Sequence, residues 1–284
     1  VERLDLLSCH VRHRHADCGR RGLEEIDMSR TVVDAVDLER RVKDMYTQVA
    51  LDPHGQFHFE MGRAMARRLG YTDAELDAAP AESIESFAGV GYYFDLANLR
   101  PGEHVVDLGS GSGMDSFIAA HTVGQSGQVT GVDMTDAQLA KADRLGKEHT
   151  VGSVLFRHAF IDATGLPDRC CDAVISNGVI NLSPDKPAVF REVARLLRPG
   201  GRLALADIVT NVQLPVTVTC DATLWAACIG GAMQRDALVE VIEQAGFTVT
   251  TMKANHEYRF LSRSAQNATR DYGVHSVSLL AIRN

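Results

Sequence analysis

The sequence predicts an α/β protein in which a parallel sheet is covered by helices on both faces. Three observations carry that reading. From Pro101-Gly102 onward, short apolar runs alternate with helix-length segments. The first run, "HVVDLG", passes straight into a glycine loop that opens a helix. Before Pro101 the apolar residues recur at helical spacing instead. Strands that alternate with helices build a parallel sheet, because each crossover helix covers one of its faces.

The elements follow in order. The opening "SCHVRHRHADCGRRG" has neither apolar periodicity nor the apolar core of a signal peptide. Residues 1–27 are therefore expected to be a disordered extension, with translation beginning at Met28. Cys9, His13, His15 and Cys18 have no fold to hold them there, so no metal site is expected. From about Val32 to Leu99 the chain reads as helical, and 28–99 is expected to form an N-terminal cap. Leu38, Val42, Met45, Tyr46 and Val49 recur at helical spacing. "MGRAMARRLGY" stops at Gly70, and Thr72 with Glu75 makes a capping box for a further short helix. Residues 100–210 supply strands in "HVVDLG", "GQVTGVDM", "SVLFRHAF", "CDAVISN" and "RLALADIV", with helices between them. Residues 211–284 add the helix "DALVEVIEQAG" and the apolar runs "FTVTTMKA" and "SVSLLAIR", which complete the sheet and the substrate pocket.

Bulk properties exclude several classes. With 284 residues, 45% of them hydrophobic, the chain can bury a large core, and no stretch approaches a membrane span. A formal charge of -8 without a basic run argues against a nucleic-acid partner. Six cysteines without paired zinc-ligand spacing suit reduced thiols and a cytoplasmic location.

The chemistry concentrates at strand ends. In "VVDLGSGSGMD", Asp107 closes the first strand, and Gly109, Gly111 and Gly113 let the backbone approach a ligand at a helix N-terminus. The spacing is G-S-G-S-G, not the G-x-G-x-x-G that admits a dinucleotide pyrophosphate. Asp133 ends the next strand, where a carboxylate accepts both hydroxyls of a ribose, and Met134 can lie against an adenine face.

Together, "VVDLGSGSGMD", "GQVTGVDMTDAQLAKA", "CDAVISNGVINLSPDK" and "REVARLLRPGGRLALADIV" resemble the class I methyltransferases that use S-adenosylmethionine. Within that class the chain is most similar to the arsenite methyltransferases, over roughly Leu38 to Phe247. "DMTDAQL", "INLSPDK" and "LWAACIGGA" are the most specific pieces. The resemblance implies a Rossmann-like, seven-stranded methyltransferase sheet and S-adenosyl-L-methionine as cofactor. It implies that Asp107, Gly109, Ser110, Gly111 and Gly113 face the methionine end of that cofactor. Asp133 would take the ribose, Met134, Ile161 and Asp162 the adenine, and Asn177 with Gly178 the floor beneath the sulfonium. Asp162 is open to a second reading, as a solvated loop acid.

The chain departs from that pattern at two positions. Where the family places substrate cysteines, this sequence has Gly178 in "SNGVINL" and Val90 in "FAGVGYYF"; only Cys228 in "LWAACIGGA" is retained. Trivalent arsenic is a soft centre that prefers several thiolates. One cysteine cannot supply three sulfurs. Cys220 lies close enough in sequence to approach Cys228, whereas Cys170 and Cys171 read as packing. His256 and His275 fall outside the matched motifs. Tyr92, Tyr93 and Phe94 read either as a lid over the site or as core. The expected activity is methyl transfer to a small soft nucleophile, arsenical or thiol, with Cys228 as its reactive side chain. Methylation of carbon or oxygen in a small metabolite, or cofactor binding without catalysis, stays open.

Overall fold

A computed structural model describes residues 33–284, Ala227 excepted. The N-terminal extension, with Cys9, His13, His15 and Cys18, lies outside the described residues. No helix among the described residues is long and apolar enough to cross a membrane.

The cap is made of five helices: α1 (Ala35–Leu51), α2 (Arg63–Leu69), α3 (Asp73–Asp77), α4 (Ala81–Glu85) and α5 (Phe94–Ala97). Asp34 caps α1 by accepting from the backbone of Val36 and Asp37. Thr72 and Glu75 form the expected capping box at α3. The cap is not continuously helical. Residues 52–62 form turns and bends, as Pro53 and Gly55 beside Asp52 favour.

The remainder alternates as the sequence predicts: β1 (His104–Leu108), α6 (Met114–Val123), β2 (Gln128–Asp133), α7 (Asp136–Glu148), β3 (Val154–His158), β4 (Cys171–Asn177), α8 (Lys186–Leu196) and β5 (Leu197–Thr210). After α9 (Val216–Thr219) and α10 (Ala222–Ala226) come β6 (Met233–Gln234), α11 (Arg235–Gln244), β7 (Phe247–Ala254), α12 (Arg263–Tyr272) and β8 (His275–Arg283). The strands run β3-β2-β1-β4-β5-β8-β7, with the short β6 beside β5. Strands β1 to β5 pair parallel, and β8 is antiparallel to both β5 and β7. Sequence reading finds β7 and β8 from their apolar runs but misses α12. That helix has too few large apolar residues to show a face.

Two apolar layers sandwich the sheet. The cap and α6 pack through Leu38, Leu76, Tyr93, Phe117 and Ile118 on one side. Helices α8 and α11 pack through Phe190, Val193, Leu238 and Ile242 on the other. The order of strands reverses between the parallel neighbours β1 and β4: from β1 the chain steps outward to β2 and β3, then returns to β4 and β5 on β1's other side. Ligands of open α/β sheets sit in the crevice that such a reversal creates.

Gly113 serves packing. Its φ of +90° lies in the left-handed region, and an added Cβ would come within 2.7 Å of Phe156 Cζ. Changing Gly113 to Ala should therefore lower stability by about 1–3 kcal/mol in urea unfolding. A loss below about 0.5 kcal/mol would show that the loop relaxes freely.

Candidate functional site

A cavity of about 400 Å³ opens over the ends of β1, β2 and β4, roofed by the cap. Of the residues singled out in the sequence, Asp107, Gly109, Ser110, Gly111, Asp133, Met134, Ile161, Asp162 and Asn177 line it. Gly113, Gly178 and Cys228 are not in its wall.

The glycine loop is held by the sheet. The N–H groups of Gly109 and Ser110 both donate to Val132 O, at 2.7 and 3.0 Å. At Gly109 (φ +74°) a Cβ would fall 2.3 Å from Val179 Cγ2, so the chain requires glycine there. Ser112 Oγ meets Gln138 Oε1 at 2.5 Å, and Gln138 Nε2 donates to Tyr46 O at 3.0 Å, tying the loop to α7 and α1. Ser110 Oγ is buried without a hydrogen-bond partner. An unpaired buried hydroxyl on a residue that lines a cavity invites a ligand to complete it.

Charge distinguishes this cavity. Glu39, Asp107, Asp115, Asp133 and Asp162 line it, and among the described lining residues there is no Lys, Arg or His. Glu39 is paired outward with Lys43 at 2.7 Å, and Asp162 is exposed. The other three have neutral donors. Asp107 is 2% exposed and accepts from Ser116 Oγ at 2.6 Å. Asp133 accepts from Gly111 N at 2.9 Å and Thr135 N at 2.8 Å, one on each oxygen. Asp115 accepts from Tyr71 and Tyr93 hydroxyls at 2.8 and 2.7 Å, and from Asn177 Nδ2 at 3.2 Å. Burial, followed by repulsion from Asp115, pushes Asp107 up to about 8. Burial raises Asp115 and Asp133 as well, against the pull of their donors.

Asp115 and Tyr71 were not singled out in the sequence, and Tyr93 was read only as part of a lid or core stretch. An acid directly after the glycine loop, in the first turn of α6, was the available signal. Its phenol partners lie 44 and 22 residues away, and no local pattern joins them.

Asn177 acts as a clamp. Its Oδ1 accepts from Val90 N at 2.8 Å and Gly91 N at 3.3 Å, and its Nδ2 donates to Gly91 O at 3.0 Å. Ser276 Oγ donates to Val90 O and Ser278 Oγ to Tyr92 O, at 2.6 and 2.8 Å. This segment is sewn to β4 and β8 and is not built as a hinged lid. Tyr93 and Phe94 are buried core, and Tyr92 donates to Glu75 at 2.7 Å. Gly178 (φ +73°) and Val90 meet: a Cβ on Gly178 would lie 3.1 Å from Val90 Cγ1. Val90 is 1% exposed, so its isopropyl group fills the space between them.

The motifs "INLSPDK" and "LWAACIGGA" pack together. Asn181 N and Nδ2 donate to Asp207 at 3.0 and 2.5 Å. Lys186 Nζ donates to Ser183 O at 2.9 Å and lies 4.5 Å from the Trp225 ring centroid. Gly231 leaves no room for a Cβ against Asn181 O and Trp225. Cys228 stands in this cluster, 7% exposed and at φ +61°, which is unusual for a residue with a Cβ. Burial, with Asp207 nearby, pushes its thiol up to about 12. Cys228 belongs to the same apolar cluster as Leu38, Val42 and Tyr46, which line the cavity. Cys220 caps the end of α9. Cys171 is buried and donates to Leu196 O at 3.3 Å, and Cys170 is half-buried beside it. His275 Nδ1 lies 2.7 Å from Gly273 O, and His256 is exposed. Among the described residues no cluster of His, Cys, Asp and Glu is arranged to hold a metal ion.

Residues 99–246 match a methyltransferase-domain family. The arsenite methyltransferase of Halobacterium salinarum is 38% identical over 214 residues, covering 75% of this chain and 54% of that protein. That of Aquipseudomonas alcaligenes is 42% identical over 157 residues, covering 53% and 45%. The chain thus spans about half the length of the curated relatives it matches. The crystal structure of an arsenic (III) S-adenosylmethionine methyltransferase from Chlamydomonas reinhardtii superposes with a TM-score of 0.63 at 29% identity, covering 79% of this chain and 75% of that one.

The acids of the cavity set a pH dependence. The folded protein holds the Asp107 proton more tightly than the unfolded chain does, so stability falls as pH rises from about 4 through about 8. Asp107→Asn should reduce that slope and raise the melting temperature at pH 8. Parallel melting curves for the two proteins from pH 5 to 8 would contradict the assignment.

Proposed function

Because this chain belongs to the methyltransferase-domain family, we propose that it transfers a methyl group from S-adenosyl-L-methionine to a small soft nucleophile, a trivalent arsenical or a thiol. The observation that carries the reading is the acidic cavity, with no basic side chain among its described lining residues. Such a cavity favours a ligand with net positive charge, and it disfavours the pyrophosphate of a dinucleotide.

The residues present fit the cofactor. Asp133 accepts from Gly111 N on one oxygen and Thr135 N on the other, and its carboxylate takes the two ribose hydroxyls. Met134 and Ile161 offer apolar faces to the adenine, and Asp162 meets its edge at the mouth. The loop 109–111 and the unpartnered Ser110 hydroxyl take the methionine end near Asp107. When bound, the cofactor supplies a methyl group already activated on a sulfonium. The chain has to exclude water and align the acceptor. Packing from the cap and the clamped 88–92 segment excludes water. Gly113 and Gly178 contribute by letting helix and strand approach, from outside the wall.

Cys228 is the proposed anchor for the acceptor. At about 12 its thiol is protonated at neutral pH, and a soft centre that binds its sulfur displaces that proton. With Val90 packed on Gly178, one sulfur is available where the resembled family has three. Inorganic arsenite should therefore be a poorer acceptor than an arsenical or thiol that needs one protein sulfur.

Initial rates over a panel of trivalent arsenicals, thiols, phenols and carbon acids test this. Soft acceptors should turn over, and Cys228→Ser should abolish their methylation. Faster turnover of a phenol or carbon acid, or an undiminished Cys228→Ser variant, would contradict the proposal. In calorimetry, Asp133→Ala should weaken S-adenosylmethionine by about 1.5–3 kcal/mol. Val90→Cys together with Gly178→Cys should raise arsenite affinity only while Cys228 is present. The left-handed φ of Gly178 strains any side chain, so cofactor affinity is measured alongside.

A further inference from the structure

Asp115 has no part in the reaction as described, yet three side chains donate hydrogen bonds to it. It sits in the first turn of α6 and is 5% exposed. Its three donors come from three places: Tyr71 after α2, Tyr93 before α5 and Asn177 at the end of β4. All three are neutral. They stabilise a carboxylate without cancelling its charge, as a Lys or Arg would. Asp107 lines the same cavity and repels Asp115. Both phenols are pushed up by burial, then by Asp115, so they remain donors at any working pH.

Two ligands of the same shape interact differently with such a group if only one carries a positive charge. S-Adenosylmethionine and its product, S-adenosylhomocysteine, share adenosine, ammonium and carboxylate. They differ at sulfur, which is a sulfonium in the first and a neutral thioether in the second. A fixed, uncompensated carboxylate in the cavity acts on that difference.

We propose that Asp115, held by Tyr71, Tyr93 and Asn177, is the residue through which the cavity prefers the charged methyl donor over its neutral product. The assignment rests on the S-adenosylmethionine reading above. It gives Asp115 a specificity role distinct from those of the ribose acid and the loop acid. Product release becomes easier once the positive charge at sulfur has been removed.

The test is calorimetric and needs no turnover. Affinities of both ligands are measured for the unaltered protein, for Asp115→Asn, and for a Tyr71→Phe, Tyr93→Phe double variant, at pH 6 and pH 8. Asparagine keeps the shape and loses the charge. Asp115→Asn should weaken S-adenosylmethionine about tenfold and S-adenosylhomocysteine less than about threefold. Without its phenol donors, Asp115 faces Asp107, Glu75 and Asn177 and protonates more easily. The double variant should therefore prefer S-adenosylmethionine less than the unaltered protein does, and less at pH 6 than at pH 8. A scaffold role alone would weaken both ligands equally at both pH values, and that result would overturn the proposal. If neither ligand binds the unaltered protein, the cofactor reading itself fails, and this assignment falls with it. If both bind but the ratio is the same in every variant, only this assignment fails.

Discussion

Asp107, Asp115 and Asp133 are gathered at one end of the sheet with only neutral hydrogen-bond donors around them. Removing several carboxylates from water without a counter-charge is unfavourable, and the protein meets it in two ways. Donors from the backbone, from hydroxyls and from one amide stabilise each anion in place. Burial and mutual repulsion also push Asp107 up to about 8, so it holds its proton at neutral pH. The cavity is thus poised for a cation, which would let its acids ionise. The cofactor assignment, the pH dependence and the role given to Asp115 all rest on this one electrostatic condition.

The same condition explains how the cap is joined to the sheet. Tyr71 and Tyr93 belong to the cap region, and their phenols end on an acid of α6. Asn177, from β4, completes that acid and clamps the segment around Val90. Ser276 and Ser278 of β8 hold the segment from its other side. Helices before the sheet and the last strand after it therefore converge on one network. A change in the charge of Asp115 should be felt across all three.

Much of this was legible in the sequence, for identifiable reasons. The central strands β1, β4 and β5 carry apolar runs, and both acids near the ends of β1 and β2 sit beside recognisable loops. Period and adjacency are enough to find Asp107 and Asp133. Glycine was harder to interpret. Gly109 lines the cavity and Gly113 and Gly178 do not, because spacing alone cannot tell a close approach to a ligand from one to Phe156 or Val90. The Asp115 network was illegible for a different reason. Its members are separated by 22 to 106 residues, and only the packing of cap on sheet brings them together. The aromatic stretch at Tyr92, Tyr93 and Phe94 could be read as lid or core, and its hydrogen bonds make it core.

Proton release on cofactor binding is the most direct test of the electrostatic condition. It is measured by titration calorimetry at pH 7 in buffers of different ionisation enthalpy. If Asp107 is protonated in the free protein and ionises when a cation arrives, binding S-adenosylmethionine should release close to one proton. Release should shrink as pH rises past about 8, where the free protein has already lost that proton. Binding with no proton release at pH 7, or with proton uptake, would contradict the account.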